Sequence, residues 1–468
     1  MRFVSLGASD RIGASCHLVQ VSGTGILLDA GVDPDDDGPE GLPRLDIISD
    51  DPAAYVDHVV ITHAHHDHIG GLPVVIRRFP HAQVHMTRPT RDLAEFVLPA
   101  SARLQRRRQR EGSSTHPPMF DERELEMQSY IYQVHELRTP FALRGVRDGG
   151  DVTAALHHSG HILGGAGVTL EFGENGHRRR LFYTGDTNLR AQTITPAGSY
   201  PDEPVDVLIL ESTLGADHEA EQTTRRMEED RFAEALRRVW DRGGSSLVPV
   251  FAIGRAQEVL ALIDRFKKRN VLPAEVPVYT AGSMRAVAEL YDRTRFVSPR
   301  LDQDFLVENV DQLRFPRSKR AQDMALTNPG IFVVSSGMML ERTLSNRLAQ
   351  RMIGDARNAV TLVGFSTDDS PAAALLKAAA TREGDDPVDV VLERSKGPQP
   401  LRCDVDRFRL SGHSHRRDLI RLVEYLSPRT VVLVHGESHA QEWMADNIDF
   451  FYPDVDIILP ETGKKIEL

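Results

Sequence analysis

The segment 63–68 reads HAHHDH and carries five metal-ligand side chains in six positions. An apolar run at 59–61 precedes it and predicts a buried strand, and residues 72–76 predict the start of a helix. His63 and His65 lie two positions apart in an extended turn and point in the same direction. Asp67 and His68 follow, where the chain turns toward that helix. Imidazoles and a carboxylate at this spacing suit zinc, and five such groups could hold two ions better than one.

The HxHxDH pattern is the signature of the metallo-β-lactamase fold, and this segment resembles it at every position. The alternative is a polar, His-rich loop that binds metal only adventitiously. Its place at the end of a strand, together with the distant partners described below, favours the fold. The pattern indicates the fold more strongly than the substrate, because this fold hosts many hydrolases.

Length and cysteine content limit the class of protein. With 468 residues, two domains are the reasonable expectation. The two cysteines, Cys16 and Cys403, exclude a disulfide framework and a Cys-rich zinc module, and they fit a reducing compartment. The first residues lack the apolar core of a signal peptide, and no apolar run is long enough to span a bilayer. We therefore expect a cytoplasmic protein that has no membrane partner.

Positive charge is clustered although the chain as a whole is acidic. The net charge of −12 argues against a general nucleic-acid binder. A phosphate-binding groove needs only a local patch, however, and each cluster could equally be a solvated helix face or loop. The basic runs lie at 103–110, 178–180, 265–269 and 314–320.

Further candidate site residues, two possible ligands and one supporting aspartate, stand at turns elsewhere in the chain. His161 lies between glycine-rich turns, which let the backbone approach a ligand closely. Asp186 ends the strand predicted at 181–187, and its two carboxylate oxygens can bind one cation each. Asp29 ends an earlier predicted strand; judged locally, it could also be a turn aspartate before Gly31.

The middle of the chain changes character after Glu211. Before it, residues 88–110 and 121–133 predict two helices. After it, strands alternate with helices, which implies a parallel sheet with helices packed on it. We predict a second domain at 213–397, inserted between the two parts of the first domain, 1–212 and 398–468; residues 402–410 would form a strand of the returning part. The predicted helices of the insert include 222–241, 255–268, 283–293 and 341–352, and its strands 246–250, 276–280, 331–334 and 359–363.

Three more motifs extend the pattern: Glu-Ser-Thr at 211–213, Ser-Gly-His at 411–413 and Leu-Val-His-Gly-Glu at 433–437. With the ligand motifs and the insertion, they resemble the β-CASP family of nucleases over essentially the whole chain. This family includes the nuclease subunit of the cleavage and polyadenylation specificity factor, ribonuclease J and compact prokaryotic relatives. The resemblance implies a metallo-β-lactamase αββα sandwich with an inserted parallel-sheet α/β domain.

The resemblance also implies a metal centre of two Zn²⁺ ions. Each ion would be held by three residues, and one carboxylate would bridge the pair. Asp29 would support the site by orienting a ligating histidine. A histidine at position 435 marks the RNA-processing branch of the family. The ligands would be His63, His65 and His161 for one ion, Asp67, His68 and His435 for the other, and Asp186 as the bridge.

A chemical hypothesis follows from these parts. A phosphodiester resists hydrolysis because water is a weak nucleophile and because the phosphate repels anions. Two zinc ions would address both, since they would activate a hydroxide and neutralise charge on the phosphate. Asp67 would hold or deprotonate this hydroxide. His413 is not needed as a ligand, so it could donate a proton to the leaving oxygen or bind the developing charge. Glu211 would orient His413; the alternative role for His413 is to cap the helix that follows it.

We therefore predict a zinc-dependent ribonuclease that hydrolyses RNA phosphodiester bonds as an endonuclease, a 5′-3′ exonuclease or both. Its partner would be single-stranded RNA, and a homo-oligomer is left open. The alternatives are a DNA-directed nuclease of the same family, a non-catalytic subunit of an RNA-processing complex, and another hydrolase such as a β-lactamase or thioesterase. The inserted domain, His413 and His435 argue against the last, and the complete ligand set argues against a non-catalytic subunit.

Overall fold

The computed structural model describes residues 1–7, 9–34, 36, 38–147, 150–174, 176–282, 284–364, 366–384 and 386–468. These residues form two compact units. Unit 1 comprises residues 1–191, 197–218 and 413–468, and unit 2 comprises residues 192–196 and 219–412. The predicted helix at 283–293 begins at Ser283, which lies outside the described residues.

The strands follow the sequence expectations closely around the ligand motifs. They are β1 (Arg2–Ser5), β2 (His17–Val21), β3 (Thr24–Leu28), β4 (His58–Val60), β5 (Gln83–Thr87), β6 (Tyr132–His135), β7 (Phe141–Leu143), β8 (Val152–His158), β9 (Ala166–Glu174), β10 (His177–Tyr183), β11 (Val207–Glu211), β12 (Ser246–Pro249), β13 (Val278–Thr280), β14 (Leu313–Arg314), β15 (Ile331–Val334), β16 (Ala359–Leu362), β17 (Val388–Val390), β18 (Gln399–Leu401), β19 (Asp404–Arg407), β20 (Thr430–Val434), β21 (Asp456–Ile458) and β22 (Lys465–Glu467).

The helices alternate with these strands along the chain. They are α1 (Asp46–Asp50), α2 (His66–Ile69), α3 (Leu72–Arg78), α4 (Arg88–Arg110), α5 (Glu122–Ser129), α6 (Arg225–Asp241), α7 (Arg255–Lys268), α8 (Met284–Arg293), α9 (Lys319–Thr327), α10 (Leu344–Met352), α11 (Pro371–Ala380), α12 (Arg416–Leu426) and α13 (Ser438–Phe451).

Unit 1 contains two seven-stranded sheets. The strand order is β22-β1-β2-β3-β4-β5-β6 in the first sheet and β21-β20-β11-β10-β9-β8-β7 in the second. Strands β3 to β6 run parallel to one another, and so do β10, β11, β20 and β21. The carboxyl ends of parallel strands meet at one edge of a sheet, so the loops that follow them are brought together there.

The sheets of unit 1 pack face to face, with helices on their outer faces. Successive side chains of a strand point to opposite faces. On β3, Ile26 and Leu28 join the apolar cluster between the sheets, whereas Leu27 packs with residues of α2 to α5 on the outer face. On β20, Val432 faces the inter-sheet cluster and Leu433 packs against α12 and α13. This αββα arrangement confirms the predicted fold of the first domain.

Unit 2 is built around a six-stranded sheet of order β14-β13-β15-β12-β16-β19, in which every pair of neighbours is parallel. Leu247, Phe332 and Val360 of its central strands pack with Leu348 of α10 and Leu375 of α11. The alternating strands and helices of the insert thus form the parallel α/β sheet that the sequence predicts.

Two local predictions are wrong. The helix expected at 121–133 ends at Ser129, and Tyr132–His135 instead forms β6, which pairs with β5 at the edge of the first sheet. The strand expected at 402–410 for the first domain is shorter, Asp404–Arg407, and pairs with β16 in unit 2. Both segments are decided by a neighbouring strand that is distant in sequence. None of the helices in the described part of the chain has the length and hydropathy needed to cross a bilayer.

A chain of three histidines crosses β4, β5 and β6 of the first sheet. His58 Nδ1 lies 3.0 Å from His85 Nε2, and His85 Nδ1 lies 2.9 Å from His135 Nε2. His58 Nε2 lies 3.1 Å from the Arg144 carbonyl oxygen, which can only accept, so this nitrogen carries the proton. Each further ring can then donate from Nε2 and accept at Nδ1, and all three imidazoles are neutral.

This neutral chain makes unit 1 sensitive to acid. Burial, together with the neighbouring imidazoles of His58 and His135, lowers the pKa of His85 to about 3, against ~6.5 in the unfolded chain. As pH falls below ~6.5 the unfolded chain takes up the proton first, so the free energy of unfolding falls by about 1.4 kcal/mol per pH unit for this imidazole. We expect His85→Gln to make this dependence shallower by that amount between pH 6 and pH 4.5 in urea titrations. An unchanged slope would contradict the assignment, and His177→Gln, at an exposed position of β10, is the control.

Candidate metal centre

The predicted ligands of unit 1 all stand beyond the carboxyl ends of strands, Asp67 and His68 in the short helix α2 and the others in loops. Asp29 follows β3, the HAHHDH segment follows β4, and His161 follows β8. In the second sheet, Asp186 follows β10 and His435 directly follows β20. Gly185 has φ +52°, and a Cβ there would lie 2.9 Å from the Thr62 side chain, so the turn before Asp186 requires glycine.

The first group of converging side chains contains His63, His65, His161 and Asp186. His65 Nδ1 lies 3.2 Å from His63 Nε2 and 3.1 Å from His161 Nε2. Asp186 Oδ2 lies 3.5 Å from each of these Nε2 atoms. The three rings stand nearly perpendicular to one another, with interplanar angles of 77° to 83°. One ring nitrogen of each histidine is thus directed at a common point.

The second group contains Asp67, His68 and His435. His435 Nε2 lies 3.2 Å from His68 Nε2 and 3.3 Å from Asp67 Oδ2. Asp186 links the two groups, because its Oδ1 lies 3.3 Å from His68 Nε2 and 3.2 Å from His435 Nδ1. Burial disfavours the charge of Asp186, but His435 and His68 outweigh it and hold the pKa of this carboxyl well below its usual range. The carboxylate is therefore ionised and shared.

The donor set fits a pair of divalent cations. Asp186 Oδ1 is buried and has no hydrogen-bond partner in the described structure, although imidazole nitrogens surround it. A tetrahedral ion with bonds of about 2.0–2.1 Å places its ligand nitrogens about 3.3 Å apart, close to the spacing within the first group. Nitrogen and carboxylate oxygen are ligands that zinc accepts. His66, the remaining histidine of the HAHHDH segment, is exposed and belongs to neither group.

Asp29 lies directly behind the second group. Its Oδ2 lies 2.9 Å from His68 Nδ1 and accepts a 2.8 Å hydrogen bond from the Tyr183 hydroxyl. Its Oδ1 accepts a 2.7 Å hydrogen bond from the Thr62 backbone N–H. Asp29 and His435 both adopt positive φ, 64° and 52°, a strained conformation that is concentrated at functional sites. The carboxylate fixes the His68 ring with Nε2 toward the centre.

His413 and Glu211 form a pair beside the first group. His413 Nδ1 lies 3.3 Å from both carboxylate oxygens of Glu211, and its ring centroid lies 4.5 Å from that of His161. Burial opposes the protonated imidazole, but the charges of Glu211 and Asp186 outweigh it and raise the pKa of His413. The helix-capping role is filled by His415, whose side chain accepts a hydrogen bond from Arg417 N–H at the start of α12.

Three further residues contact the predicted site residues, and of these Thr213 belongs to the Glu-Ser-Thr motif at 211–213. Thr62 Oγ1 lies 3.1 Å from His63 Nδ1, and Thr213 Oγ1 lies 3.1 Å from His435 Nδ1. Tyr183 supports Asp29 from β10, as described above. Thr62 and Tyr183 lie at or beside the ends of β4 and β10, which precede predicted ligands, and this position is the sequence signal that could have indicated them.

Three family models match consecutive parts of the chain. The metallo-beta-lactamase superfamily matches residues 10–214, the Beta-Casp domain matches residues 256–375, and the Zn-dependent metallo-hydrolase RNA specificity domain matches residues 398–460. Together they cover both parts of the first domain and the middle of the insert.

Curated relatives are similar over nearly all of the chain. Endoribonuclease YSH1 of Kluyveromyces lactis is 26% identical over 455 residues, which is 94% of this chain and 56% of that protein. Cleavage and polyadenylation specificity factor 73 of Drosophila melanogaster is 28% identical over 438 residues, 93% of this chain and 59% of that protein. The chain therefore spans little more than half the length of these relatives. A crystal structure of a protein of unknown function from Enterococcus faecalis matches with a TM-score of 0.53 at 14% identity over the whole of both chains, which supports the fold alone.

Proposed function

Because the chain belongs to the β-CASP family of metallo-β-lactamase-fold proteins, we propose that it is a zinc-dependent ribonuclease. The observation that carries this proposal is the convergence of seven ligand side chains on two adjoining points, with the His413–Glu211 pair beside them. Two observations support RNA as the substrate. The relatives reported above are named as an endoribonuclease and a cleavage and polyadenylation specificity factor, and the family model matched at 398–460 is an RNA specificity domain.

The proposed cofactor is a pair of Zn²⁺ ions. His63, His65 and His161 would hold one ion, and Asp186 would be shared with the second. Asp67, His68 and His435 would hold that second ion. When bound, zinc supplies a lowered pKa for a water nucleophile and neutralises charge on the phosphate oxygens.

Asp67, His413 and Glu211 would perform the remaining steps of catalysis. Asp67 is half-buried, and burial opposes its charge, but His68 and His435 outweigh this effect and lower the pKa of Asp67. The carboxylate is therefore ionised, and it can accept a hydrogen bond from the attacking water and orient it. His413 Nε2 faces Asp186 Oδ2 at 3.9 Å, while Glu211 accepts from Nδ1 on the other side of the ring. Held in this way, protonated His413 donates from Nε2 to the oxygen that leaves the phosphate.

End-labelled RNA tests the proposed function. The purified protein with added zinc is incubated with single-stranded RNA carrying a 5′-monophosphate, triphosphate or hydroxyl, and with DNA of the same sequence. Cleavage of RNA that is lost with a chelator and restored by zinc is the expected result. Internal fragments would identify an endonuclease, and single nucleotides that require a monophosphate would identify a 5′ exonuclease. Cleavage of DNA alone, or a metal-loaded protein with no cleavage, would contradict the proposal. The cytoplasmic location and a homo-oligomer stay predictions.

Substitution of Asp29 tests whether this residue orients the proposed ligand His68 without binding the metal itself. Asn tolerates the same positive φ but offers one acceptor oxygen in place of two, so Asp29→Asn weakens the hold on His68. We expect the affinity for zinc to fall by about 10- to 100-fold, measured by competition with a chromogenic chelator. Asp57→Asn is the matched control: Asp57 is also buried and accepts backbone N–H bonds, from Gly25 and Val146, just before β4. Equal zinc affinities for the two variants would refute the supporting role of Asp29.

A further inference from the structure

The second half of α4 carries an arginine stripe, formed by Arg103, Arg106, Arg107 and Arg110. These positions are i, i+3, i+4 and i+7, so the four side chains share one face of the helix. Together with Glu111 and Glu122 they line a cavity of about 440 Å³. Buried residues such as Leu93 and Leu98 anchor the first half of α4, and every buried residue of the helix precedes Arg103. The stripe is therefore displayed at the surface.

The stripe has more positive charge than its neighbours neutralise. Arg106 pairs with Glu122, and Arg107 Nε lies 2.9 Å from Glu111 Oε1. Within the described residues, Arg103 and Arg110 have no carboxylate oxygen within 4.0 Å. Four guanidinium groups against two carboxylates leave a local charge of +2 in a chain whose net charge is −12.

The basic run at 178–180 behaves differently. Arg178 pairs with Glu171, Arg179 Nη1 lies 2.5 Å from Glu174 Oε2, and Arg180 Nη2 lies 2.7 Å from Glu171 Oε1. Every arginine of that run has a carboxylate partner on the same sheet or at its margin, so the run is a paired surface. Clustered arginines in this sequence thus do not imply a ligand by themselves, and the stripe on α4 is distinguished by its cavity and its surplus charge.

The helix that bears the stripe is fixed to the metal centre at two places. At its start, Thr87 and Thr90 donate hydrogen bonds of 2.7 and 2.9 Å to the Gly164 carbonyl, in the loop that presents His161. Further along, Leu98 and Ala102 share an apolar cluster with Ile69 of α2, the helix that carries Asp67 and His68, and with residues of α3. The stripe begins one residue after Ala102. It is thus anchored by the same segments that carry the proposed ligands.

We propose that the arginine stripe binds the sugar–phosphate backbone of single-stranded RNA, away from the bond that is cleaved. This inference rests on the proposed ribonuclease function. Guanidinium groups bind phosphate oxygens in a bidentate manner, and Arg103 to Arg110 spans about 10 Å along the helix axis, enough for more than one phosphate. Backbone contacts position a strand without reading its sequence, so the stripe adds affinity for longer RNA and no base preference.

Two double variants test the stripe. Arg103→Gln/Arg110→Gln removes the two guanidinium groups that have no carboxylate oxygen of the described residues within 4.0 Å. Arg178→Gln/Arg421→Gln removes two exposed arginines of unit 1 that pair with Glu171 and Asp418, and changes the net charge equally. Binding of a fluorescently labelled 20-nucleotide RNA is measured by anisotropy between 50 and 300 mM salt, in EDTA so that no RNA is consumed. Thermal unfolding confirms that each variant is folded.

We expect the stripe variant to bind RNA about 10-fold more weakly at 150 mM salt, and its plot of log affinity against log salt to be shallower by about 1.4, which is 0.7 for each lost phosphate contact. The control variant should bind as the unchanged protein does. Equal binding by all three proteins, or an equal loss in both variants, would overturn the proposal. Displacement of RNA from the stripe by polyglutamate at equal concentration would also overturn it, in favour of an acidic protein partner.

The measurement of RNA binding does not require cleavage, so the proposed RNA-binding stripe and the proposed ribonuclease function can fail separately. If the unchanged protein binds RNA with the expected salt dependence but does not cleave it with zinc, the proposed function is wrong and the stripe stands as an RNA-binding surface. If the protein cleaves RNA but the stripe variant binds like the unchanged protein, only the stripe is wrong.

Discussion

Asp186→Ala should abolish cleavage of RNA and reduce the metal content from two ions per chain to less than one. The Asp186 carboxylate approaches both ligand groups, through Oδ2 in the first and Oδ1 in the second. Its removal leaves six ligands but no shared charge between two dications. A metal pair contributes several kcal/mol to stabilising a phosphoryl-transfer transition state, so the rate should fall by at least about 10³-fold.

The control for Asp186 lies at the opposite end of the same strands. Asp206 stands just before β11, and its Oδ2 accepts a 2.8 Å hydrogen bond from Arg180 N–H. Asp206→Ala should keep both ions and most of the activity. Metal content is measured by atomic emission on dialysed protein, and folding is checked by circular dichroism. Two tightly bound ions in Asp186→Ala would show that the shared carboxylate is not required.

His413→Ala should have the opposite effect on metal, because His413 is absent from both ligand groups. We expect two zinc ions per chain and a loss of about 10²- to 10⁴-fold in cleavage rate, the usual contribution of a general acid. Glu211→Gln, which leaves the imidazole in place but removes the charge behind it, should lose less, about 10- to 100-fold by analogy with other supporting carboxylates.

His415→Ala is a stringent control for His413. It is the same residue type two positions away, and its ring caps α12. The loss of a cap lowers the free energy of unfolding by about 1 kcal/mol, but cleavage should persist. Full activity in His413→Ala would remove this residue from the chemistry. Loss of zinc in the same variant would instead make it a ligand.

The proposed ligand set could be assembled from the sequence because local patterns mark its members. The HAHHDH segment, the glycines around His161 and the Gly-Asp pair that follows β10 are all visible within a few residues. That they meet in space follows from topology: β10, β11 and β20 are parallel neighbours, so Asp186, Glu211 and His435 must lie at one edge. Tyr183 and Thr62, which contact Asp29 and His63, carry no comparable pattern.

The errors occur where a distant strand decides the local structure. Residues 130–135 follow α5 directly and read Tyr-Ile-Tyr-Gln-Val-His, so the aromatic and β-branched residues among them favour a strand over the expected helix. The strand β6 forms there by pairing with β5. Likewise, β19 lies near the predicted return to the first domain, but its ladder partner is β16 of unit 2. Pairing of this kind is set by backbone hydrogen bonds between segments far apart in sequence, which no short window contains.

Anomalous scattering from a crystal of the zinc-loaded protein tests the central claim most directly. Data collected on both sides of the zinc absorption edge should give two peaks, one among His63, His65 and His161 and one among Asp67, His68 and His435, with Asp186 between them. A single peak, or peaks away from these side chains, would contradict the paired metal centre on which the proposed ribonuclease depends.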